Sequence, residues 1–205
     1  MKKSNSASNI FCFPLRLKRQ ISAAIYFIFL VFLITGCSTK NNHTPDKYGQ
    51  FDGEINQHSR LIQADSHRIF HMLTHQDTFN SICPKGTIVT FEPMLSYQVG
   101  TFVNTKIDHI FKLLWRSQVV EIIPDKKIRL QFLNGFFVGG TEIWELDPLN
   151  EYSRITHTII VQPQGFLKKL AWNLKVRRKH DKMVEAVLDN LNRAAETEKN
   201  YGLYP

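Results

Sequence analysis

Residues 177–198 read RRKHDKMVEAVLDNLNRAAETE, and this stretch decides the fold. With 3.6 residues per turn, one side of the predicted helix is apolar, formed by Met183, Val184, Val187, Leu188, Leu191, Ala194 and Ala195. The opposite side carries Glu185, Asp189, Asn192, Arg193 and Glu196. Such a helix has to bury its apolar side, and the segments before it are mostly strand-like. We therefore expect an antiparallel sheet wrapped around this helix, with any unfilled volume serving as a pocket.

The first 36 residues have the pattern of an export signal. Residues 1–20 contain no acidic residue, and the fifteen residues from Ile21 to Thr35 carry no charge. The basic residues of the first part are Lys2, Lys3, Arg16, Lys18 and Arg19. A basic segment followed by an apolar segment of this length is typical of a secretory signal peptide. The apolar segment is short for a transmembrane helix, which needs about 20 apolar residues.

The apolar segment ends in Leu33-Ile34-Thr35-Gly36-Cys37, and a polar run follows. This ending resembles a bacterial lipobox, which implies cleavage after residue 36 and lipidation of Cys37. Several acyl chains, at about 0.8 kcal/mol per buried methylene, would hold the protein firmly on a membrane. An uncleaved signal anchor is the alternative. Ser38, in place of an aspartate, resembles the pattern of lipoproteins on the periplasmic face of the Gram-negative outer membrane; in other cells the resemblance implies the outer face of the cytoplasmic membrane.

The cysteine and charge counts describe the exported part of the chain. Cys12 lies in the signal and Cys37 is the lipidation candidate, so Cys83 remains alone and we expect no internal disulfide. The chain has 26 basic and 18 acidic residues, and the signal removes five basic ones, which leaves 21 against 18 and a net charge of +3. This balance does not indicate a nucleic-acid partner.

The chain divides into four parts. We expect the signal peptide at 1–36, the lipidated cysteine and a polar tether at 37–57, the folded domain at 58–199 and a tail at 200–205. Consecutive strands joined by short turns pair antiparallel, so the run of strands forms one antiparallel sheet. The expected strands are 59–64, 87–91, 101–109, 113–123, 128–133, 138–146 and 153–161. Two short helices, from 65 or 66 and at 77–82, follow the first strand.

This order of elements resembles the START/SRPBCC superfamily of helix-grip proteins, which includes polyketide cyclases/dehydrases and lipid-transfer domains. The resemblance spans about residues 58 to 197 and is carried by Ile69-Phe70, Gly100, Trp115–Val119, Val120–Pro124, Gly135-Phe136 and Trp144–Pro148. It implies an α+β helix-grip fold, in which a curved antiparallel sheet of six to seven strands wraps around the long C-terminal helix. It also implies a deep apolar cavity between sheet and helix, but fold alone does not give the chemistry.

Alternation along the predicted strands selects the residues that face the helix. Most of them are expected to be core, and some to line a pocket for a hydrophobic ligand whose head group the polar side chains would orient. The candidate ligand-binding residues are His109, Phe111, Leu113, Trp115, Ser117, Phe132, Trp144, His157, Ile159 and His180. Glu142 is a further polar candidate on the same strands.

The segment before the long helix is amphipathic. Its apolar face consists of Phe166, Leu167, Leu170, Ala171 and Leu174, and lysines lie off that face. An amphipathic helix with basic residues and an interfacial tryptophan is typical of membrane-surface contact. The candidate membrane-contact residues are Lys168, Lys169, Trp172, Arg177 and Arg178. The alternative is a helix packed on the sheet with a solvated basic rim.

The sequence indicates no metal, cofactor or assigned catalytic residue. His67, His71 and His75 recur every four residues, a spacing that can chelate a transition metal, but no carboxylate or cysteine at ligand spacing completes the site. We find no nucleophile elbow and no phosphate-cradling glycine loop.

The leading hypothesis is a membrane-tethered protein that binds a lipid, a quinone or another hydrophobic small molecule. One alternative is a cyclase/dehydrase-type enzyme that uses the same cavity, with His109, His157 or Arg116 as acid, base or oxyanion partner. The other is a structural or assembly lipoprotein of the cell envelope.

Overall fold

A seven-stranded antiparallel sheet and a long C-terminal helix form the fold in a computed structural model of the chain. The structure describes residues 47–108 and 113–201, with the backbone alone for 197–201. The predicted signal peptide and Cys37, together with His109 and Phe111, lie outside the described residues.

The elements follow the order expected from the sequence. The strands are β1 Glu54–Ile62, β2 Thr87–Glu92, β3 Phe102–Ile107, β4 Leu113–Ile123, β5 Lys127–Phe132, β6 Thr141–Leu149 and β7 Tyr152–Val161. The helices are α1 Ser66–Thr74, α2 Gln76–Ile82, α3 Gly165–Ala171 and α4 Arg177–Tyr201, and a π-helical turn, Trp172–Val176, joins the last two. Asp65 caps α1 as expected, since its side chain accepts a hydrogen bond from the backbone N–H of Arg68 at 2.8 Å.

The sheet has the order β1-β7-β6-β5-β4-β3-β2, with every pair antiparallel. The helices α1 and α2 carry the chain from one edge strand, β1, to the other, β2. A register shift between Val119 and Glu121 marks a bulge in β4, which bends the strand locally. These features confirm the predicted α+β architecture.

The apolar stripe of α4 packs into the concave side of the sheet. Val184, Leu188, Leu191 and Ala195 are buried in a core that also includes residues of α1, α2 and the central strands. Asn190 of α4 donates a hydrogen bond to the carbonyl of Ile82 at 2.9 Å, which holds α4 on the end of α2. The stripe read from the sequence is therefore core, as predicted.

Two strands, β1 and β6, differ most from the prediction in their boundaries. β1 begins at Glu54 instead of 59, because its whole length pairs with β7, from Glu54 opposite Val161 to Ile62 opposite Ser153. The sixth strand covers Thr141–Leu149 instead of 138–146, because β6 and β7 stay paired up to Leu149 opposite Tyr152. Asn150, with φ of 58°, makes the tight turn that closes this hairpin.

Among the helices of the described residues, none is both long enough and apolar enough to cross a membrane.

Candidate functional site

A cavity opens between the sheet and the start of α4. Its outer chamber has a volume of about 380 Å³. It lies among β3, β4, the loop before β2, the π-turn and the first turns of α4. Its apolar lining includes Pro84, Ile107, Leu113, Trp115, Val176 and Met183. The outer chamber therefore offers mainly hydrocarbon surface to whatever enters it.

A smaller inner chamber, of about 60 Å³, continues toward the centre of the sheet. Trp115, Phe137, His180 and Met183 line both chambers, so these residues surround the passage between them. The inner wall also contains polar groups, which include Cys83, Tyr97, Thr105, Glu142 and His157. The cavity is thus apolar at its mouth and partly polar at its inner end.

The structure brings most of the predicted ligand-binding residues together. Leu113 and Trp115 line the outer chamber, while Phe132, Trp144, His157, Ile159 and His180 line the inner one. Ser117 is buried on β4, opposite Val103 and Phe132 in the neighbouring strands, and lines neither chamber. His109 and Phe111 lie outside the described residues.

The lining residues that were not among the predicted ligand-binding residues include Cys83, Tyr97, Phe137 and Met183. Met183 is on the apolar side of the long helix, so its position could have been found from the helical period. Tyr97 reaches the cavity from an irregular loop, which is held by a hydrogen bond from its N–H to the carbonyl of Thr74 at 2.8 Å. No periodic pattern marks such a residue.

Glu142 organises the polar inner wall. Its Oε1 atom accepts a hydrogen bond from Trp144 Nε1 at 2.9 Å and lies 3.1 Å from Nε2 of His157. The ring of His157 also packs between Trp144 and His180, with centroids at 4.2 and 5.5 Å. These contacts fix the carboxylate and the imidazole against each other on neighbouring strands.

Burial keeps the neighbouring acids of this wall in their neutral forms. It raises the pKa of the Cys83 thiol to about 12, with a further contribution from the negative charge of Glu142. Burial, followed by the same carboxylate, also raises the pKa of the Tyr97 phenol well above 10. At neutral pH the thiol is therefore not a nucleophile, and the phenol remains a hydrogen-bond donor.

A second polar network lies behind His180, between β1 and α4. Asn56 Oδ1 is 3.0 Å from Nδ1 of His180 and 3.1 Å from Nε2 of His58, and Asn56 Nδ2 donates to Asp181 at 2.8 Å. Burial, and then the nearby His157 and His58, lower the pKa of His180 well below 6.5, so its imidazole is neutral at neutral pH.

His58, His180 and Asp181 place three potential metal-ligand atoms within 4.8 Å of one another. Asn56 joins these groups through hydrogen bonds, which satisfies them without an ion. The predicted histidine spacing on α1 gives no converging site. His67 bonds Asp125 at 3.1 Å, whereas the rings of His71 and His75 stack on each other at 3.8 Å.

The apolar face of α3 is exposed beside the cavity. Phe166, Leu167, Leu170 and Leu174 are 76%, 77%, 43% and 63% exposed, and we call these four residues the apolar ridge. Lys169 and Arg178 are exposed nearby, while Lys168 and Arg177 are half-buried. The alternative of a helix whose apolar face packs on the sheet is therefore wrong for α3.

Trp172 does not belong to this exposed surface, and its predicted membrane contact is wrong. The side chain is fully buried and its Nε1 donates to Glu54 at 2.8 Å. Trp172 lies on the side of the helical segment opposite the apolar ridge, so the side that is exposed is the ridge and the side that faces the sheet carries the indole. Trp172 also begins the π-turn, in which the N–H of Arg177 bonds to the carbonyl of Trp172, five residues back.

Arg116 also lies away from the cavity. Its guanidinium bonds Glu92 at 3.0 Å and stacks 4.1 Å above the ring of Phe102. It therefore cannot serve as the oxyanion partner of a reaction in the cavity. Of the acid–base candidates among the described residues, His157 with Glu142 is the pair that lines the cavity.

Comparison with known proteins establishes the fold. No protein-family model matches the sequence, and no curated protein matches it. Among solved structures, protein TTHA0849 from Thermus thermophilus is similar, with a TM-score of 0.58 and 15% identity over 70% of this chain and 98% of that one. Major latex-like protein 151 from Panax ginseng has a TM-score of 0.57 and 11% identity over 69% and 97%.

Protein CV1439 from Chromobacterium violaceum is a third similar structure, with a TM-score of 0.54 and 13% identity over 70% of this chain and 98% of that one. At these identities the similarity concerns the fold alone. Together with the topology described above, it identifies a helix-grip fold.

Proposed function

We propose that this protein binds a hydrophobic small molecule in its cavity while a lipid on Cys37 tethers it to a membrane. We further propose that its folded domain belongs to the START/SRPBCC superfamily and that residues 1–36 are a lipoprotein signal peptide. The observation that carries the proposal is the apolar outer chamber. Its volume of about 380 Å³ falls in the range of about 300–1,000 Å³ that small-molecule sites occupy.

The driving force for binding is the burial of apolar surface. Each Å² of hydrocarbon that leaves water contributes about 25 cal/mol, so a ligand with a long apolar body is favoured over a small polar one. Lys179 and Lys182 line the rim of the outer chamber and Trp115 its wall. This arrangement suits an amphiphile that arrives from a membrane.

The apolar ridge supports contact between the domain and that membrane. Residues 165–182 contain seven basic residues and one acid, Asp181. A ridge of exposed Phe and Leu side chains surrounded by lysine and arginine is complementary to an anionic lipid surface. Because Val176, Lys179 and His180 line the outer chamber, a membrane contacted by the ridge would lie beside the cavity mouth.

The ligand proposal is tested by what the protein carries. We expect the full chain, purified from bacterial membranes, to release a stoichiometric apolar molecule on denaturation and solvent extraction, identified by mass spectrometry. Ala186→Phe, which places a ring in the outer chamber, should reduce the yield several-fold. Glu151→Phe adds the same ring on the exposed β6–β7 hairpin and is the matched control. An empty wild-type protein, or equal yields from both variants, would contradict the proposal.

Membrane contact is tested by hydrogen exchange of the full chain in vesicles of phosphatidylcholine alone or with 30% phosphatidylglycerol. We expect slower exchange of peptides from 165–176 in the anionic vesicles. Lys168→Glu with Lys169→Glu should abolish the difference. The matched control, Lys126→Glu with Arg154→Glu, changes the net charge equally and should keep it. Identical exchange in both vesicles would end this part of the proposal.

An enzymatic role is the second candidate, and the His157–Glu142 pair is the observation that favours it. A histidine held by a carboxylate can act as a general acid or base. If the extracted molecule is altered on incubation with the protein, and His157→Gln stops the change while binding persists, the enzymatic reading replaces the binding one.

A further inference from the structure

The inner end of the cavity contains a carboxylate oxygen without a partner. Oε1 of Glu142 accepts from Trp144 and contacts His157, whereas its Oε2 makes no hydrogen bond with any described residue. Glu142 lines the inner chamber, and its side chain is 18% exposed. A carboxylate in such a place is stabilised only when hydrogen-bond donors or a positive charge satisfy it.

His157 offers a second unsatisfied atom in the same chamber. The residue is 2% exposed, and its Nδ1 has no hydrogen-bond partner among the described residues. If Nε2 carries the proton that faces Glu142, Nδ1 is an acceptor. If the imidazole is protonated on both nitrogens, Nδ1 is a donor. Buried polar atoms are normally paired, so an orphan beside a cavity points to a missing partner.

One functional group can donate to Oε2 and also accept from Nδ1 when that atom carries a proton; when Nδ1 is an acceptor, the single proton of this group serves Oε2 alone. A hydroxyl donates one hydrogen bond and accepts up to two. It can donate to Oε2 of Glu142, and it can accept from Nδ1–H of His157 when the imidazole is charged. An ether or a ketone cannot donate to the carboxylate at all. A carboxylate ligand would be repelled by Glu142.

Among the described residues, Trp144 and His157 are the side chains that hydrogen-bond Glu142. No lysine or arginine in the described part of the chain lines the inner chamber, and the basic Lys179 and Lys182 line only the outer chamber. Cys83 and Tyr97 line the same chamber as Glu142 and keep their protons because of burial, but neither makes a hydrogen bond to Glu142. A ligand that occupies the inner chamber can therefore supply a hydrogen bond that these side chains do not make.

We propose that the ligand is an amphiphile with a terminal hydroxyl, which enters hydroxyl first and donates from that group to Oε2 of Glu142. Its hydrocarbon body then occupies the outer chamber beside Leu113, Trp115 and Met183. This inference rests on the proposed binding function and specifies the chemistry that the inner chamber selects.

The test compares ligands that differ at one end only. The full chain in lipid nanodiscs is loaded with the fluorescent apolar probe N-phenyl-1-naphthylamine, which is displaced with 1-decanol, decyl methyl ether or decylamine. Partitioning into the lipid is the same for every variant, so affinities are compared between variants for one ligand at a time. A hydrogen bond to a charged group corresponds to about tenfold or more in affinity.

We expect Glu142→Leu to weaken decanol binding by about tenfold and to leave the methyl ether unchanged. Glu142→Gln, which keeps the shape of the side chain, should also weaken the binding of decanol and leave that of the ether unchanged. This variant provides the test if Glu142→Leu does not fold. Glu145→Gln, on the face of β6 opposite Glu142 and bonded to Tyr48, is the control and should change neither affinity.

Equal effects of the Glu142 variants on decanol and the ether would overturn the hydroxyl proposal while cavity binding stood. A selective loss of decylamine instead would also overturn it, because it would identify a cation site. If none of the three ligands displaces the probe from the wild type, the failure belongs to the proposed binding function itself.

Discussion

The indole Nε1 of Trp172 donates a hydrogen bond of 2.8 Å to Oε2 of Glu54, which joins the π-turn to the first residue of β1. The same indole is fully buried beside the rings of Phe136 and Phe137, with centroids at 6.5 and 6.3 Å. The Trp172 side chain therefore links the start of β1, the π-turn that precedes α4, and the rings of Phe136 and Phe137.

Replacing Trp172 separates its two contributions to stability. Trp172→Phe keeps a ring but removes the donor, and we expect a loss of about 1–3 kcal/mol in the free energy of unfolding, as for a hydrogen bond to a charged group. Trp172→Ala also removes the buried ring and should cost about 3–5 kcal/mol. Denaturant unfolding measures both. Equal losses in the two variants would mean that the hydrogen bond, and not the packing, dominates.

Acidification should lower the stability of the folded protein because of the buried, neutral His180. Its pKa in the folded protein lies well below 6.5, first because of burial and then because of His157 and His58. Below pH 6.5 the unfolded chain therefore binds a proton that the folded protein excludes, so stability falls as the pH drops from there toward the folded pKa. We expect melting temperatures between pH 8 and 5 to decline less steeply for His180→Gln than for the wild type. Parallel curves would contradict this assignment.

Two adjacent glycines should respond differently to alanine. A Cβ on Gly140 would lie 2.4 Å from the carbonyl oxygen of Ile160, so β6 and β7 would have to separate. We expect a loss of about 3 kcal/mol or more, at the upper end of the overpacking range. Gly139 has open space around the added Cβ but a φ of 84°, so Gly139→Ala should cost about 1–2 kcal/mol. Thermal melts compare the two, and a larger loss at Gly139 would contradict the close approach.

Leucines of the core and of the apolar ridge should also differ. Leu188 is fully buried, and Leu188→Ala should cost about 2–5 kcal/mol. Leu167, at 77% exposure, should change stability by no more than about 0.5 kcal/mol when replaced by alanine. Chemical unfolding without lipid gives both values. A large loss at Leu167 would show that the ridge packs inside the protein in solution.

The fold was predictable because its signals are periodic. The apolar stripe through Val184, Leu188 and Leu191 and the alternation along β4 and β7 each identify an element and its buried side. The turns between strands then fix the antiparallel order. The extents of β1 and β6 were misjudged, since they depend on pairing with β7, which lies far along the chain.

The site was less predictable because it depends on contacts between distant segments. Strand alternation correctly placed Trp115 and His157 on the inner side of the domain, and the helical period correctly placed His180 there. These patterns could not show that Tyr97 enters from a loop or that Glu142 keeps one oxygen unpaired. The helical period placed Trp172 opposite the apolar ridge, but it could not show which of these two sides faces the sheet.

The five-residue turn at Trp172–Val176 has a consequence for how this chain tolerates length changes. A π-turn contains one residue more than an α-helix needs, and each residue of an α-helix rotates the chain by about 100°. Deleting Asn173 would join α3 and α4 into one continuous α-helix. It would rotate Phe166 and Leu167 of the apolar ridge about the helix axis by that angle. The same deletion would break the hydrogen bond between Trp172 and Glu54. The loss of one residue would therefore reorient both the exposed ring of Phe166 and the buried ring of Trp172.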